Sequence, residues 1–221
     1  MGSARIAVLI SGRGRNLQAL IDACADGRID GHIGVVVSSR ADALGLARAQ
    51  AAGIDTAVLS PRDHADRAAY DAALGALLDR YAPNIVALAG FMRILTPAFV
   101  GRYRGRMLNI HPSLLPRHPG LDTHRRALLA GDTEHGATVH FVTEQLDGGP
   151  RIIQGKLTVR PEDTPDSLAE RVMHDIELKI YPQAVAWLAR DELRMIDDRV
   201  WFRGRWLDAP LALDALDETF K

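Results

Sequence analysis

The stretch Asn109-Ile-His-Pro-Ser-Leu-Leu-Pro116 holds the residue types best suited to chemistry on a carbonyl group. It follows the apolar pair Met107-Leu108 and runs into a proline-rich loop, so Asn109 and His111 are expected at the last positions of a β-strand. Residues two apart on a strand point to one face. Pro112 keeps His111 extended, because the residue before a proline is disfavoured in the helical region. A carboxamide that can donate to oxygen, beside an imidazole that carries a proton near neutral pH, suits a reaction that builds charge on a carbonyl oxygen. The plainer alternative is a polar strand end before a bent loop. Asp147 supplies a carboxylate from Thr143-Glu-Gln-Leu-Asp-Gly-Gly149, a segment that reads as a flexible loop able to swing towards His111. A carboxylate beside an imidazole favours the protonated ring and fixes its orientation. Asp before Gly also commonly just shapes a turn.

A second candidate lies near the start. Arg5 to Ile10 is an aliphatic strand, Ser11-Gly-Arg-Gly-Arg-Asn16 a turn, and Leu17, Leu20, Ile21 and Cys24 then recur at helical spacing. A glycine-rich turn from strand into helix lets backbone N–H groups approach an anion at the positive end of the helix. The lysine of a Walker loop is missing. A dinucleotide fingerprint would need glycine where Leu17 stands and an acid after the second strand, Ile33 to Val37. That strand ends in Ser38-Ser39-Arg40, which disfavours NAD and leaves NADP open through Arg40. A small phosphorylated ligand fits better, with Asn16 capping the helix or touching the ligand. A tight turn with no ligand is the alternative.

The remaining histidines raise the question of a metal. His118, Asp122, His124, His135 and His140 lack the helical spacing of a zinc site, and are expected in the core or facing solvent. Ser113 lacks the glycine-flanked elbow of a serine hydrolase.

The elements that position these residues follow by alternation. Ala43 to Ala52 reads as a helix, Thr56 to Leu59 as a short strand, Asp66 to Tyr81 as a helix and Ile85 to Ala89 as a buried strand. Gly90-Phe-Met-Arg-Ile-Leu95 is an unusually apolar loop, and a helix begins at Thr96 with Pro97 in its first turn. Strands alternating with helices imply a parallel sheet, whose ligands bind beyond the carboxyl ends of the strands. The glycine turn, the Phe91 to Leu95 loop and the Asn109–His111 pair all fall on that rim. Further on, His124 to Ala130 is expected as a short helix, Ala137 to Val142 as an alternating strand and Arg151 to Val159 as another strand. Thr164 begins a long helix that Pro182 should kink or end before Trp187. Leu193 to Ile196 and Val200 to Leu207 suggest short closing strands, with Trp201, Phe202 and Trp206 expected to pack on the domain, a partner surface being the alternative. The tail after Asp208 is expected to be loosely ordered.

Composition bounds the function classes. The chain has 221 residues and a formal net charge of -1, which gives no electrostatic case for a nucleic-acid partner. Cys24 is the single cysteine, so neither a disulfide framework nor a cysteine metal cluster is expected. No apolar run is long enough for a signal peptide or a membrane span. Gly2 follows Met1, but Ile6 stands where a myristoylation signal needs Ser or Thr. A reduced, soluble, cytoplasmic protein is the expectation.

Five motifs, in order, then carry a resemblance. Gly12-Arg-Gly-Arg-Asn-Leu-Gln-Ala-Leu20, Ala89-Gly-Phe-Met-Arg-Ile-Leu95, Leu108-Asn-Ile-His-Pro-Ser-Leu-Leu-Pro116, His135-Gly-Ala-Thr-Val-His-Phe-Val142 and Leu146-Asp-Gly-Gly-Pro150 make the chain, from about Arg5 to Pro182, similar to the phosphoribosylglycinamide formyltransferase family. The resemblance implies an α/β, Rossmann-like fold: an open, mostly parallel sheet flanked by helices, with antiparallel additions near the carboxyl terminus. It implies one domain over 1–221, with a phosphate-binding half to about residue 105, a folate and catalytic half to about 190, and a short extension. The implied activity is formyl transfer from 10-formyltetrahydrofolate, the cosubstrate, to glycinamide ribonucleotide in purine synthesis, without a metal. Asn109, His111 and Asp147 would be catalytic. Gly14, Arg15, Asn16 and Glu177 would hold the ribonucleotide. Arg67, Met92, Arg93, Ile94, Leu95, Asn109, Thr143, Glu144, Gln145, Leu146 and Asp147 would hold the folate. Nucleic acid and membrane are not expected partners, and a homodimer is allowed. One departure stands out: the family usually places Ser where Arg15 stands. Three rivals remain, namely a formyltetrahydrofolate hydrolase, which would carry an extra amino-terminal domain, a tRNA formyltransferase, which would carry a basic carboxyl-terminal one, and a non-catalytic NADP-binding module.

Overall fold

A computed structural model describes residues 3–221; Gly2, and with it the question of its modification, lies outside the described residues. Five parallel strands come first: β1 (Ala4–Ile10), β2 (Gly31–Ser38), β3 (Thr56–Val58), β4 (Ile85–Leu88) and β5 (Met107–His111). In β1 only Arg5 escapes burial, because a parallel strand covered by helices on both faces must be apolar throughout. Its alternate side chains divide the core in two. Ile6, Val8 and Ile10 pack with Leu17 and Leu20 of α1 (Arg15–Ala25) and with Tyr181 and Trp187 of α7 (Leu178–Ala189). Ala7 and Leu9 face the other way, onto Tyr70, Leu74 and Leu78 of α3 (Arg67–Asp79) and Phe99 of α4 (Pro97–Arg102). The helix α2 (Leu44–Ala51) links β2 to β3.

Among these five the order is β3-β2-β1-β4-β5, so the chain builds outward from β1 in one direction and then returns to build in the other. The reversal opens a crevice beyond the carboxyl ends of β1 and β4. Ser11 bridges it by accepting the Met92 backbone N–H at 2.9 Å. β6 (Glu134–Phe141) and β7 (Arg151–Thr158) join antiparallel, and β8 (Leu193–Ile196), β9 (Arg199–Phe202) and β10 (Arg205–Trp206) form a separate antiparallel sheet. Phe202 seats it on Trp187, ring centroids 4.8 Å apart.

Three sequence expectations change. β6 alternates in chemistry but not in exposure, for every residue after Glu134 is buried. Ala137, Val139 and Phe141 enter the core, while Thr138 is bonded to the Ser113 carbonyl and His140 to Asn109, because the loop after β5 covers the polar face. Pro182 neither ends nor breaks its helix. The irregularity precedes it, where α6 (Pro165–Val172) passes into a π-helical turn over Met173–Glu177 and then into α7, which runs through Pro182 to Ala189. A π turn inserts extra chain into one turn, and here it leaves Ile176 and Glu177 both buried. The tail is tied down: Leu211 donates to the Ile152 carbonyl and accepts from Gln154, both at 2.8 Å, Asp217 pairs with Arg190 and Arg203, and Phe220 is buried.

Candidate active site

Asn109 and His111 occupy the end of β5, on one face, as their spacing requires. Antiparallel pairing sets His140 directly opposite Asn109. Facing side chains on adjacent strands are close neighbours, and the Asn109 Nδ2 lies 3.2 Å from His140 Nε2. The other ring nitrogen of His140 donates to the Phe141 carbonyl at 2.9 Å, so Nε2 is the acceptor and the amide points its NH2 at the ring. One amide N–H remains free to donate elsewhere. Burial holds the His140 ring below the usual histidine range, with the His111 charge adding to it and the Phe141 carbonyl and Asp147 opposing it.

His111 is held at both nitrogens. Nε2 donates to the His118 carbonyl at 2.9 Å, and Nδ1 stands 3.4 Å from Asp147 Oδ2. Asp147 needs no swing to reach the ring. Its side chain is 8% exposed and accepts the Gly120 N–H at 2.8 Å, and its Oδ1 lies 3.8 Å from His140 Nε2. The two glycines after it explain how the loop is folded. A Cβ on Gly149 would stand 1.9 Å from the Phe141 carbonyl oxygen, so only glycine lets the loop return so closely along β6. The Gly148 N–H closes the turn on the Gln145 carbonyl at 3.1 Å.

The start of α1 is different in kind. Gly14 is its N-cap at φ 73°, no side chain caps the helix, and no acidic residue stands in its first turn. The first-turn N–H groups of such a helix have no intrahelical partner and mark its positive end. Gly14 also meets a packing demand that its sequence context did not reveal, for a Cβ there would come within 2.6 Å of the Gly45 Cα in α2. Asn16 Nδ2 donates to Glu177 Oε2 at 2.7 Å, while its buried Oδ1 has no partner. Burial raises the Glu177 carboxyl above the usual range, opposed by the Asn16 hydrogen bond and the Arg15 charge. Arg15 reaches across to α6, its Nη1 2.5 Å from Glu170 Oε2. Arg40, the residue that left NADP open, is held in a two-bond pair with Asp42 at 2.9 and 2.6 Å.

The folate candidates divide between two regions. Met92 and Arg93 line a cavity with Ser11, Ser39 and Arg62, and Arg93 stacks over Tyr70. Met92 and Ile94 are exposed, whereas Leu95 turns into the core beside α3 and α4. Thr143, Glu144 and Gln145 line a second cavity of about 660 Å³ with Arg104, Arg151 and Arg199. Leu146 is exposed between that cavity and Asp147. Arg67 sits exposed at the first position of α3.

Sequence reasoning passed over His140 and the loop at His118. The signal for His140 was its parity with Thr138 on a strand pairing antiparallel with β5. His118 pairs with Asp132, and His135 Nε2 meets His124 Nδ1 at 3.1 Å, so these rings are bonded parts of the fold. His124 and His135 are each pushed down to about 4, first by burial and then by the charges of neighbouring rings. Among the described residues, no helix is long and apolar enough to cross a membrane.

Comparison with known proteins identifies the family and the fold. Residues 4–185 match the formyl transferase family. The phosphoribosylglycinamide formyltransferase of Escherichia coli is 53% identical over 202 residues, covering 91% of this chain and 95% of that protein. The trifunctional purine biosynthetic protein adenosine-3 of Drosophila melanogaster is 48% identical over 186 residues, 83% of this chain but only 14% of that longer protein. The solved phosphoribosylglycinamide formyltransferase of Coxiella burnetii superposes with a TM-score of 0.90 at 47% identity, over 95% of this chain and 98% of that one. With residues 4–185 in the family's match and a solved relative superposing over 95% of its length, the chain belongs to the formyl transferase family.

Proposed function

We propose that this protein transfers the formyl group of 10-formyltetrahydrofolate to the amine of glycinamide ribonucleotide, as a step of purine synthesis. The observation that carries the reading is the gathering of Asn109, His111 and Asp147 around one point, with Asn109 bonded to His140 and Asp147 beside both rings, on the same rim as the uncapped start of α1. The ribonucleotide phosphate sits at that helix start, on the N–H groups of Gly14, Arg15 and Asn16. Glu177 and Asn16 receive the sugar hydroxyls. Arg15 contributes its backbone N–H, since its guanidinium is engaged by Glu170. The folate lies along the Met92–Arg93–Ile94–Leu95 loop and reaches Thr143, Glu144, Gln145 and Leu146, with Arg67 at its outer end.

In this reading the substrate amine attacks the formyl carbon, and the carbonyl electron pair moves onto oxygen. The free N–H of Asn109 donates to that oxygen. Preorganised donors of this kind are worth about 10²–10³ in rate. His111, set beside Asp147, is the proton store of the site. The electron pair on oxygen then re-forms the carbonyl as the C–N bond to the folate breaks; the folate nitrogen keeps that bond's pair and takes a proton from His111, and the proton lost by the amine nitrogen returns to His111. General acid-base help of this kind is worth roughly 10²–10⁴. The route needs neither a covalent enzyme intermediate nor a metal. The test is the folate absorbance change on mixing protein with 10-formyltetrahydrofolate. A change that requires the ribonucleotide supports the reading, and an equal rate without it would make the protein a hydrolase.

A further inference from the structure

The loop between β5 and α5 (Thr123–Leu129) is unusual in how its backbone is held. Four consecutive residues are each bonded by a side chain from elsewhere. Ser113 Oγ donates to the Arg117 carbonyl, His111 Nε2 to the His118 carbonyl, Arg126 to the Pro119 carbonyl, and the Gly120 N–H donates to Asp147. Two of these four partners are His111 and Asp147. The loop therefore carries the carbonyl that fixes the protonated nitrogen of His111 and the N–H that fixes the carboxylate facing its other nitrogen.

What holds the loop is a second charged cluster. His118 has φ +53°, a left-handed conformation that non-glycine residues seldom adopt. Its Nε2 bonds Asp132 Oδ2 at 2.7 Å, and Arg117 Nη2 meets the other carboxylate oxygen at 2.6 Å. Asp132 is itself fixed where α5 ends, its N–H donating to the Ala127 carbonyl at 3.1 Å. Asp132 and the His118 side chain are each 14% exposed, so the bond is sheltered from solvent. Burial pushes the Asp132 carboxyl up, and the bonds from His118 and Arg117 outweigh it, leaving it below the usual range.

The geometry points to Asp132, acting through His118 and Arg117, as a positioning residue that sets the His111 ring and the Asp147 carboxylate for formyl transfer. It touches no substrate. It places the 117–120 backbone, and that backbone places the two groups that do the chemistry. Reacting groups displaced by about 1 Å can lose on the order of 10²-fold in rate. A partial release of one loop is expected to cost about tenfold.

The inference rests on the proposed activity, and the test separates the two. Asp132→Ala should lower kcat about tenfold with both KM values within twofold of wild type. Asp132→Asn, which still accepts from His118, should recover most of kcat. Nitrogen-15 spectra of histidine-labelled full-length protein, taken without substrates, should show His111 Nε2 carrying a slowly exchanging proton. In Asp132→Ala that signal should broaden or move, and in Asp132→Asn it should persist. An unchanged His111 signal in Asp132→Ala would overturn the proposal. So would equal kcat losses in Asp132→Ala and Asp132→Asn, or a loss that appears only as raised KM values and a lowered Tm. If wild type fails to formylate the ribonucleotide, the functional reading falls, while the His111 spectra still decide whether the anchor positions the ring.

Discussion

The start of α1 and the end of β5 lie on one rim of the sheet and are built in opposite ways. The first is made of backbone: a left-handed glycine and first-turn N–H groups with no intrahelical partner. The second is made of side chains already fixed by the fold: Asn109 bonded to His140, His111 to the His118 carbonyl, and Asp147, bonded to the Gly120 N–H, standing beside both rings. An open donor set waits for an anion and should govern affinity. A closed network orients reacting groups in advance and should govern turnover. Substitutions at the two ends should therefore separate into KM and kcat effects.

The largest effect is expected at β5. Asn109→Ala and His111→Ala should each lower kcat by about 10²–10³, with melting temperature and ribonucleotide KM little changed; a near wild-type kcat in either would remove it from the mechanism. Next comes Gly14→Ala at the other end. A Cβ there is strained at positive φ and meets the Gly45 Cα, so the turn must open. Steady-state kinetics should show the ribonucleotide KM raised at least about tenfold and kcat kept, and a fall in kcat at constant KM would erase the distinction between the two regions.

A third contrast concerns the histidines behind the β5 network. With folded-state values near 4 against 6.5 for the free ring, His124 and His135 bind fewer protons in the fold than in the unfolded chain. Stability from this source is full above about pH 6.5 and is lost as pH falls towards 4. Between pH 5 and 7 each ring contributes on the order of 2 kcal/mol. His124→Gln should shrink the gain in urea stability over that range, while the wild-type slope surviving intact would place the titration elsewhere. The smallest effect is expected at Arg15. Its ion pair with Glu170 is partly exposed, and such pairs are worth roughly 0–1 kcal/mol. Arg15→Ser should weaken ribonucleotide binding less than about threefold at low salt, and a much larger loss would mean the guanidinium leaves Glu170 for the phosphate.

The same contrast explains what was legible from sequence. β1, β4 and β5 announce themselves as aliphatic runs, and the turn at Gly12 to Asn16 is local, so spacing alone places it on a helix start. The Asn109–His111 pair was readable because strand periodicity acts over two residues. His140 was not, because its meaning depends on a register between β5 and β6 that no local pattern states. Whether His140 would lie in the core or face solvent stayed open, and the burial of Thr138 went unread, for the same reason: polar alternation looks solvated until other parts of the chain cover it. Gly14 was assigned to a ligand when Gly45, distant in sequence, supplies a packing reason as well. The tail after Asp208 lacks periodicity, yet bonds from Leu211 to β7 and from Asp217 to Arg190 and Arg203 hold it in place. Pro182 misled because a proline inside a helix usually breaks it, whereas here the irregular π turn comes earlier and brings Glu177 against Asn16.

The central claim is that the formyl group passes directly to the ribonucleotide amine. Carbon-13 in the formyl group of 10-formyltetrahydrofolate gives the most direct test, with product spectra recorded after a single turnover in the presence of glycinamide ribonucleotide. The account predicts the label as a formamide on the ribonucleotide, with little free formate. Label released as formate, with the ribonucleotide unchanged, would contradict it.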